Sequence, residues 1–173
     1  VQTTTNCDSV ELSVNNTSLG TRKTSDFPNN TIEWDVPYAK GEMVAKGYKA
    51  GKQAASYELR SAGEPAQILL SADRQQIAAD GQDLSHIGVK LVDAQGVVVP
   101  NADLQITVEV VGPGRLLGLD TGDLRRNSFT GNSIRTYFGR ALITVQSSRS
   151  KGNIKVIVKV PGVPDTSLQI ASQ

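Results

Sequence analysis

Leu104-Gln105-Ile106-Thr107-Val108-Glu109-Val110 is the stretch that decides the fold. Its four apolar side chains fall on every second residue, with Gln105, Thr107 and Glu109 between them. Successive side chains of an extended strand point to opposite faces, so this is a strand with one face buried and the other wet. Gly112-Pro113-Gly114 follows as a strong turn. The same period of two continues in both directions. Downstream it returns at Ala141, Ile143 and Val145, and again at Ile154, Val156, Val158 and Val160. Leu168 and Ile170 predict a closing edge. Upstream it marks Ile87, Val89 and Leu91, and before them Ile68, Leu70 and Ala72. Val97–Val99 reads as a short apolar strand that Pro100 ends or bulges. A long loop is expected from Asp120 to about Ser133.

The N-terminal part alternates too. Val10, Leu12 and Val14 predict a strand, Asn15-Asn16 a turn, and Leu19 a short return strand. Ile32, Trp34 and Val36 share one face, opposite Glu33 and Asp35. Met43 to Lys49 and the row Ala55, Tyr57, Leu59 form a hairpin around Ala50-Gly51. Ser61 to Pro65 is short and turn-prone, which places a boundary there. Apolar residues nowhere recur at helical spacing over three turns, and strands spaced roughly 8–12 residues apart predict β-sandwiches. The expected fold is therefore all-β, with two tandem immunoglobulin-like sandwiches. Residues 1–63 form a small one of about five strands, and residues 64–173 one of about seven. A unit of about 60 residues is marginal in isolation and is expected to lean on its neighbour.

Composition excludes several function classes. Eighteen basic and 17 acidic residues leave a formal charge of +1, a poor match for a polyanion such as nucleic acid. The basic pair Arg125-Arg126 is isolated and reads as a solvated loop. No apolar run approaches the roughly 18 residues of a membrane span. The single cysteine, Cys7, rules out an intrachain disulfide and predicts a free thiol. The chain opens at Val1 without an initiator methionine and without a signal peptide, so it reads as processed or as a piece of a larger protein.

Candidate chemistry is thin. His86 is the only histidine, with no elbow nucleophile to serve and no metal-ligand spacing around it, so it reads as a partly buried or surface residue. Asp80 and Asp83 flank Gly81, and Asp120 and Asp123 flank Gly122. Paired carboxylates can do acid–base work or hold calcium. Asp-Gly is also a turn former, and that reading is preferred. Trp34 is expected inside, from its register with Ile32 and Val36. Tyr38, after Pro37, is a candidate for exposure, whereas Tyr137 and Phe138, being adjacent, are expected on opposite faces of a strand. Sequons at Asn15, Asn16 and Asn29 matter only in a glycosylating host. No catalytic, cofactor-binding or metal residue is assigned, and no cofactor is expected.

The chain resembles the fourth and fifth domains of β-galactosidases of glycoside hydrolase family 2. Asp8-Ser9-Val10-Glu11-Leu12 to Asn15, Ser18-Leu19-Gly20, Trp34-Asp35-Val36-Pro37-Tyr38, Gly41-Glu42 and Gly47-Tyr48-Lys49 with Gly51 resemble the fourth. Leu70-Ser71-Ala72-Asp73, Ile77 to Leu84, Val89 to Asp93, Gly96, Val99-Pro100 and Ala102 resemble the fifth. So do Gly118, Gly122-Asp123, Arg135, Phe138-Gly139 and Ala141. Where the family usually has Asn before that Gly-Asp, this chain has Thr121. The resemblance implies a non-catalytic piece of an enzyme whose acid and nucleophile glutamates lie on an upstream (β/α)₈ barrel. It implies as partners the parent's catalytic and N-terminal domains, with homodimer contacts open, and an exported parent, periplasmic or extracellular in a bacterium. Two other classes compete: a carbohydrate-binding module, which needs exposed aromatic platforms, and an immunoglobulin-like adhesion module, which predicts similar repeats.

Overall fold

Residues 1–61 fold around Trp34. The structure, a computed structural model, describes residues 1–125 and 129–173. Its contacts divide the chain into Val1–Ser61 and Ala62–Gln173. The first unit contains β1 (Gln2–Thr4), β2 (Ser9–Val14), β3 (Thr17–Lys23), β4 (Thr31–Glu33), β5 (Glu42–Lys49) and β6 (Lys52–Arg60). Two single 3₁₀ turns, Thr24–Asp26 and Pro28–Asn30, lie between β3 and β4. One sheet has the order β3-β2-β5-β6, and β1 pairs with β4 as a separate ribbon. Asn15 and Asn16 turn the chain from β2 to β3 with positive φ, the conformation a two-residue hairpin requires.

The ribbon covers the sheet through one small cluster. Val10 and Leu12 of β2 meet Ile32 and Trp34, with Phe27, Val36, Met43 and Ala45 packed around them. Trp34 lies just past β4 and is 3% exposed. Its backbone and that of Val1 exchange two hydrogen bonds of 2.8 Å, extending the ribbon by a pair. The indole N–H donates to Thr3 Oγ1 at 2.9 Å, and the Arg22 guanidinium stands 4.7 Å from the ring centroid. Both the apolar body and the polar tip of the side chain are therefore satisfied.

β6 forms the returning strand of the expected hairpin, but nothing among the described residues covers it. Tyr57 pairs with Ala45 and Leu59 with Met43, so both point to the core-facing side of the sheet. The ribbon does not reach that edge, and β6 is exposed along its whole length, Tyr57 at 69%. Alternation set the face correctly but could not reveal how far the second layer extends.

The second unit contains β7 (Gln67–Ala72), β8 (Gln76–Ile77), β9 (Leu84–Val92), β10 (Gln105–Val111) and β11 (Gly114–Asp120). It continues with β12 (Ser133–Arg135), β13 (Arg140–Ser147), β14 (Gly152–Val160) and β15 (Val163–Ser172). Its two sheets have the orders β11-β13-β9-β7 and β12-β10-β14-β15-β8. β8 joins β15 in parallel, whereas the other pairs are antiparallel. This is the pairing of an immunoglobulin-type sandwich, with consecutive strands shared between two sheets. Side chains from both inner faces form one core, including Ile87, Ile143 and Leu119 from one sheet and Ile106, Val156, Val158 and Ile170 from the other.

Two expectations change. Val97–Val99 forms only an isolated bridge, Val92 to Val98, before Pro100, which has no N–H to extend a ladder. β15 is not an outer edge over its full length, because β8 caps its last residues, Ala171 and Ser172. Next to the division at Ser61/Ala62, Ala62 packs on the second core and the Gly63 N–H donates to Asp93.

Among the described residues, four apolar side chains are buried in the first cluster and twenty in the second. The smaller cluster has little to spare, so Trp34→Ala should destabilise the first unit by about 3–5 kcal/mol while the second keeps its transition. Thermal unfolding followed by circular dichroism checks this. Tryptophan emission, blue-shifted in the folded chain and indifferent to added galactoside, checks the burial.

Candidate functional site

The acidic turns are occupied by the backbone. Asp80 follows β8, and its Oδ1 accepts the N–H groups of Gln82 at 2.7 Å and Asp83 at 2.8 Å. Asp83 accepts those of Ala78 and Leu84 and lies 3.0 Å from Arg74. Backbone donors, those of Gln82 and Ala78 first, hold both carboxyls below their ordinary range. Asp73 receives the His86 N–H at 2.8 Å and the Ser85 hydroxyl at 3.1 Å, and is lowered chiefly by the former. These are anions fixed as turn braces. A general acid requires the opposite shift, toward neutrality.

Asp93 is the most enclosed of them, 2% exposed. One carboxylate oxygen accepts the Gln95 and Val97 N–H groups and the other the Gly63 N–H at 2.8 Å. A single side chain thus ties the start of the second unit to the turn after β9.

The second acidic turn differs. Asp120 Oδ1 accepts the N–H groups of Thr121 and Gly122. Asp123 forms a two-point ion pair with Arg125, at 2.8 and 2.9 Å. Between them, Thr121 Oγ1 is the one buried side-chain polar atom without a hydrogen-bond partner among the described residues. It sits at the position where the resemblance expects Asn. Arg126, the other half of the basic pair, lies outside the described residues, as does part of the Asp120–Ser133 loop.

The remaining candidates are dispersed. His86 is exposed on β9, with Nδ1 3.1 Å from Thr144 Oγ1. Tyr38 is 87% exposed and Cys7 is a buried free cysteine. The Asn15 amide is engaged with Lys40 O and the Glu42 N–H, whereas Asn16 and Asn29 are exposed. Among the described residues no group of three or more His, Cys, Asp or Glu side chains gathers as a metal site, and no helix is long and apolar enough to cross a membrane.

Tyr137 and Phe138 contradict the expectation of opposite faces. They lie in a turn between β12 and β13, where Phe138 has φ +49°, and their rings meet edge to face with centroids 4.5 Å apart. The alternation argument fails because the dipeptide is not extended. Arg125 stands 5.7 Å from the Tyr137 ring centroid, and Asp103, Asn101 and Asp123 border the same cleft of about 270 Å³. The Phe138-Gly139 pair between two apolar rows was the available sequence signal for a turn.

The sequence model described as "Glycoside hydrolase family 2 C-terminal domain 5" matches residues 68–169. The chain belongs to glycoside hydrolase family 2. Residues 1–55 match a domain of unknown function (DUF4982). Beta-galactosidase BoGH2A of Bacteroides ovatus is 30% identical over 167 residues, covering 96% of this chain and 20% of that protein. A beta-glucuronidase of Formosa agariphila is 28% identical, over 96% of this chain and 17% of its own length. The crystal structure of a family 2 member from Bacteroides cellulosilyticus is 37% identical with a TM-score of 0.94, covering 97% of this chain and 22% of that one. The family 2 chain described here thus spans about a fifth of the length of these relatives.

Asp93 generates the pH prediction. Its folded carboxyl is held below the ordinary value of 3.8, first by the Gly63 N–H. Its contribution is therefore fully present above that value and is lost as pH falls through the lower folded one. Asp93→Asn should lower the melting temperature at neutral pH and flatten the loss of stability on acidification below pH 3.8. Melting curves of both proteins across the acid range check it, and parallel curves contradict it.

Proposed function

We propose that this chain is a non-catalytic accessory module of a longer, β-galactosidase-type enzyme, and that terminal β-galactosides or related β-glycosides are cleaved by domains outside it. The observation that carries the reading is the match of residues 68–169 to a C-terminal domain model, within relatives about five times longer. The chemistry of the chain supports it. Glycoside hydrolysis uses one carboxyl with a raised pKa and a second poised across the scissile bond. Asp73, Asp80, Asp83 and Asp93 are instead lowered by backbone donors that hold turns together. No residue of this chain is assigned a catalytic role.

The accessory role is docking. Ala55, Tyr57 and Leu59 form an apolar row on the core-facing side of β6 that the ribbon leaves uncovered. Covering such a row stabilises by about 25 cal/mol per Å² removed from water. We assign it to contact with another domain of the parent enzyme. The parent is assigned to the periplasm or the extracellular space, in line with enzymes that work on external glycans. The two units are assigned as two modules joined near Gly63, each with its own core.

Incubation of the purified 173-residue chain with a chromogenic β-galactoside should give no turnover. Turnover that scales with chain concentration through successive purification steps would contradict the accessory assignment.

A further inference from the structure

We propose that the cleft beside Tyr137 and Phe138 binds a neutral pyranoside sugar. Tyr137 and Arg140 exchange two hydrogen bonds of 3.0 Å, closing a two-residue turn whose central residues, Phe138 and Gly139, have φ of +49° and +67°. Turns of this kind favour Asn, Asp or Gly, because a side chain with a bulky Cβ substituent is strained at positive φ. Gly139 is fixed by space as well, since a Cβ there would lie 2.3 Å from Val99 O. Phe138 is the exception to the turn's chemistry, and burial does not repay it, because the residue is 58% exposed. A strained residue whose ring is more than half exposed, with Tyr137 against one edge, points to a use outside the fold.

The surroundings define the ligand. The rings of Tyr137 and Phe138 meet at 65°, forming an aromatic corner, and Asn101, Asp103, Asp123 and Arg125 border the cleft with them. Asp123 is paired with Arg125, and Asp103 with Arg135 at 2.9 Å. Among the described residues lining the cleft the charges are thus paired, which favours neither an anion nor a cation. The exposed Asp103 carboxylate keeps acceptor lone pairs beyond its Arg135 pair, and Asn101 is exposed, with an amide that both donates and accepts. Hydroxyl-accepting groups beside an aromatic surface match a pyranose, which presents hydroxyls at its rim and C–H groups on its face. The volume of about 270 Å³ lies just below the roughly 300–1,000 Å³ usual for ligand sites, so a single sugar ring fits better than an extended chain. The site is separate from the β6 row and holds whether or not the chain docks as proposed above.

The test is a titration of the ¹⁵N-labelled 173-residue chain with methyl β-galactopyranoside, with methyl β-glucuronide as the anionic control. Saturable shifts of the Tyr137, Phe138 and Gly139 amides are expected with the galactoside at millimolar affinity, and weaker binding of the glucuronide. Phe138→Asn removes the ring but suits the turn, so it should raise the melting temperature and weaken galactoside binding by roughly tenfold or more. Absence of saturable shifts in the unsubstituted chain, equal or tighter binding of the glucuronide, or unchanged affinity in Phe138→Asn would each overturn the proposal.

Discussion

The inner faces of the two sheets in the second unit must cover one another, and its other features follow from that contact. Ile87 lies opposite Ile143, and Ile143 opposite Leu119, across three strands of one sheet. Val108 lies opposite Val158, and Val156 opposite Leu168, in the other. Once these rows are buried, register is fixed, because a slip of one residue would turn each row outward. The turns then have fixed ends to bridge, and aspartates at Asp73, Asp80, Asp83 and Asp93 accept the backbone N–H groups that no ladder takes up. The first unit meets the same constraint with less material. Its ribbon covers Val10 and Leu12 with Ile32 and Trp34 and stops short of β6.

Much of this was legible in the sequence, because burial on one face leaves a period of two. β2, β9, β10, β13 and β14 each carry an apolar row that marks them. β1 carried no such mark. Gln2-Thr3-Thr4 is polar, and its role depends on a partner thirty residues away, where Thr3 receives the Trp34 indole N–H. β11 was hidden by a bulge between Leu116 and Gly118, which breaks the alternation by bringing Leu116 and Leu119 to the same core. The extent of the second layer over β6 is a tertiary property that no local pattern encodes.

The candidate sites divide in the same way. Asp-Gly pairs were readable as turns because the carboxylate accepts nearby N–H groups, a local interaction. The burial of Trp34 was readable from its register. The aromatic corner was not, because it requires Phe138 to adopt a backbone conformation its side chain disfavours. Thr121 is the converse: a sequence departure whose structural trace is a buried hydroxyl without a partner. Family membership places the chain in glycoside hydrolase family 2, and backbone donors hold Asp80 and Asp93 as anions that brace turns.

The central claim is that the uncovered face of β6 is an interface completed by the rest of a longer enzyme. Hydrogen exchange measured on the isolated 173-residue chain and on the longer protein carrying it tests this most directly. The account predicts that the backbone amides of Lys52–Arg60 exchange readily in the isolated chain and become protected in the longer protein, whereas the amides of β10 and β14 are slow in both. Equal exchange of Lys52–Arg60 in the two proteins would contradict it.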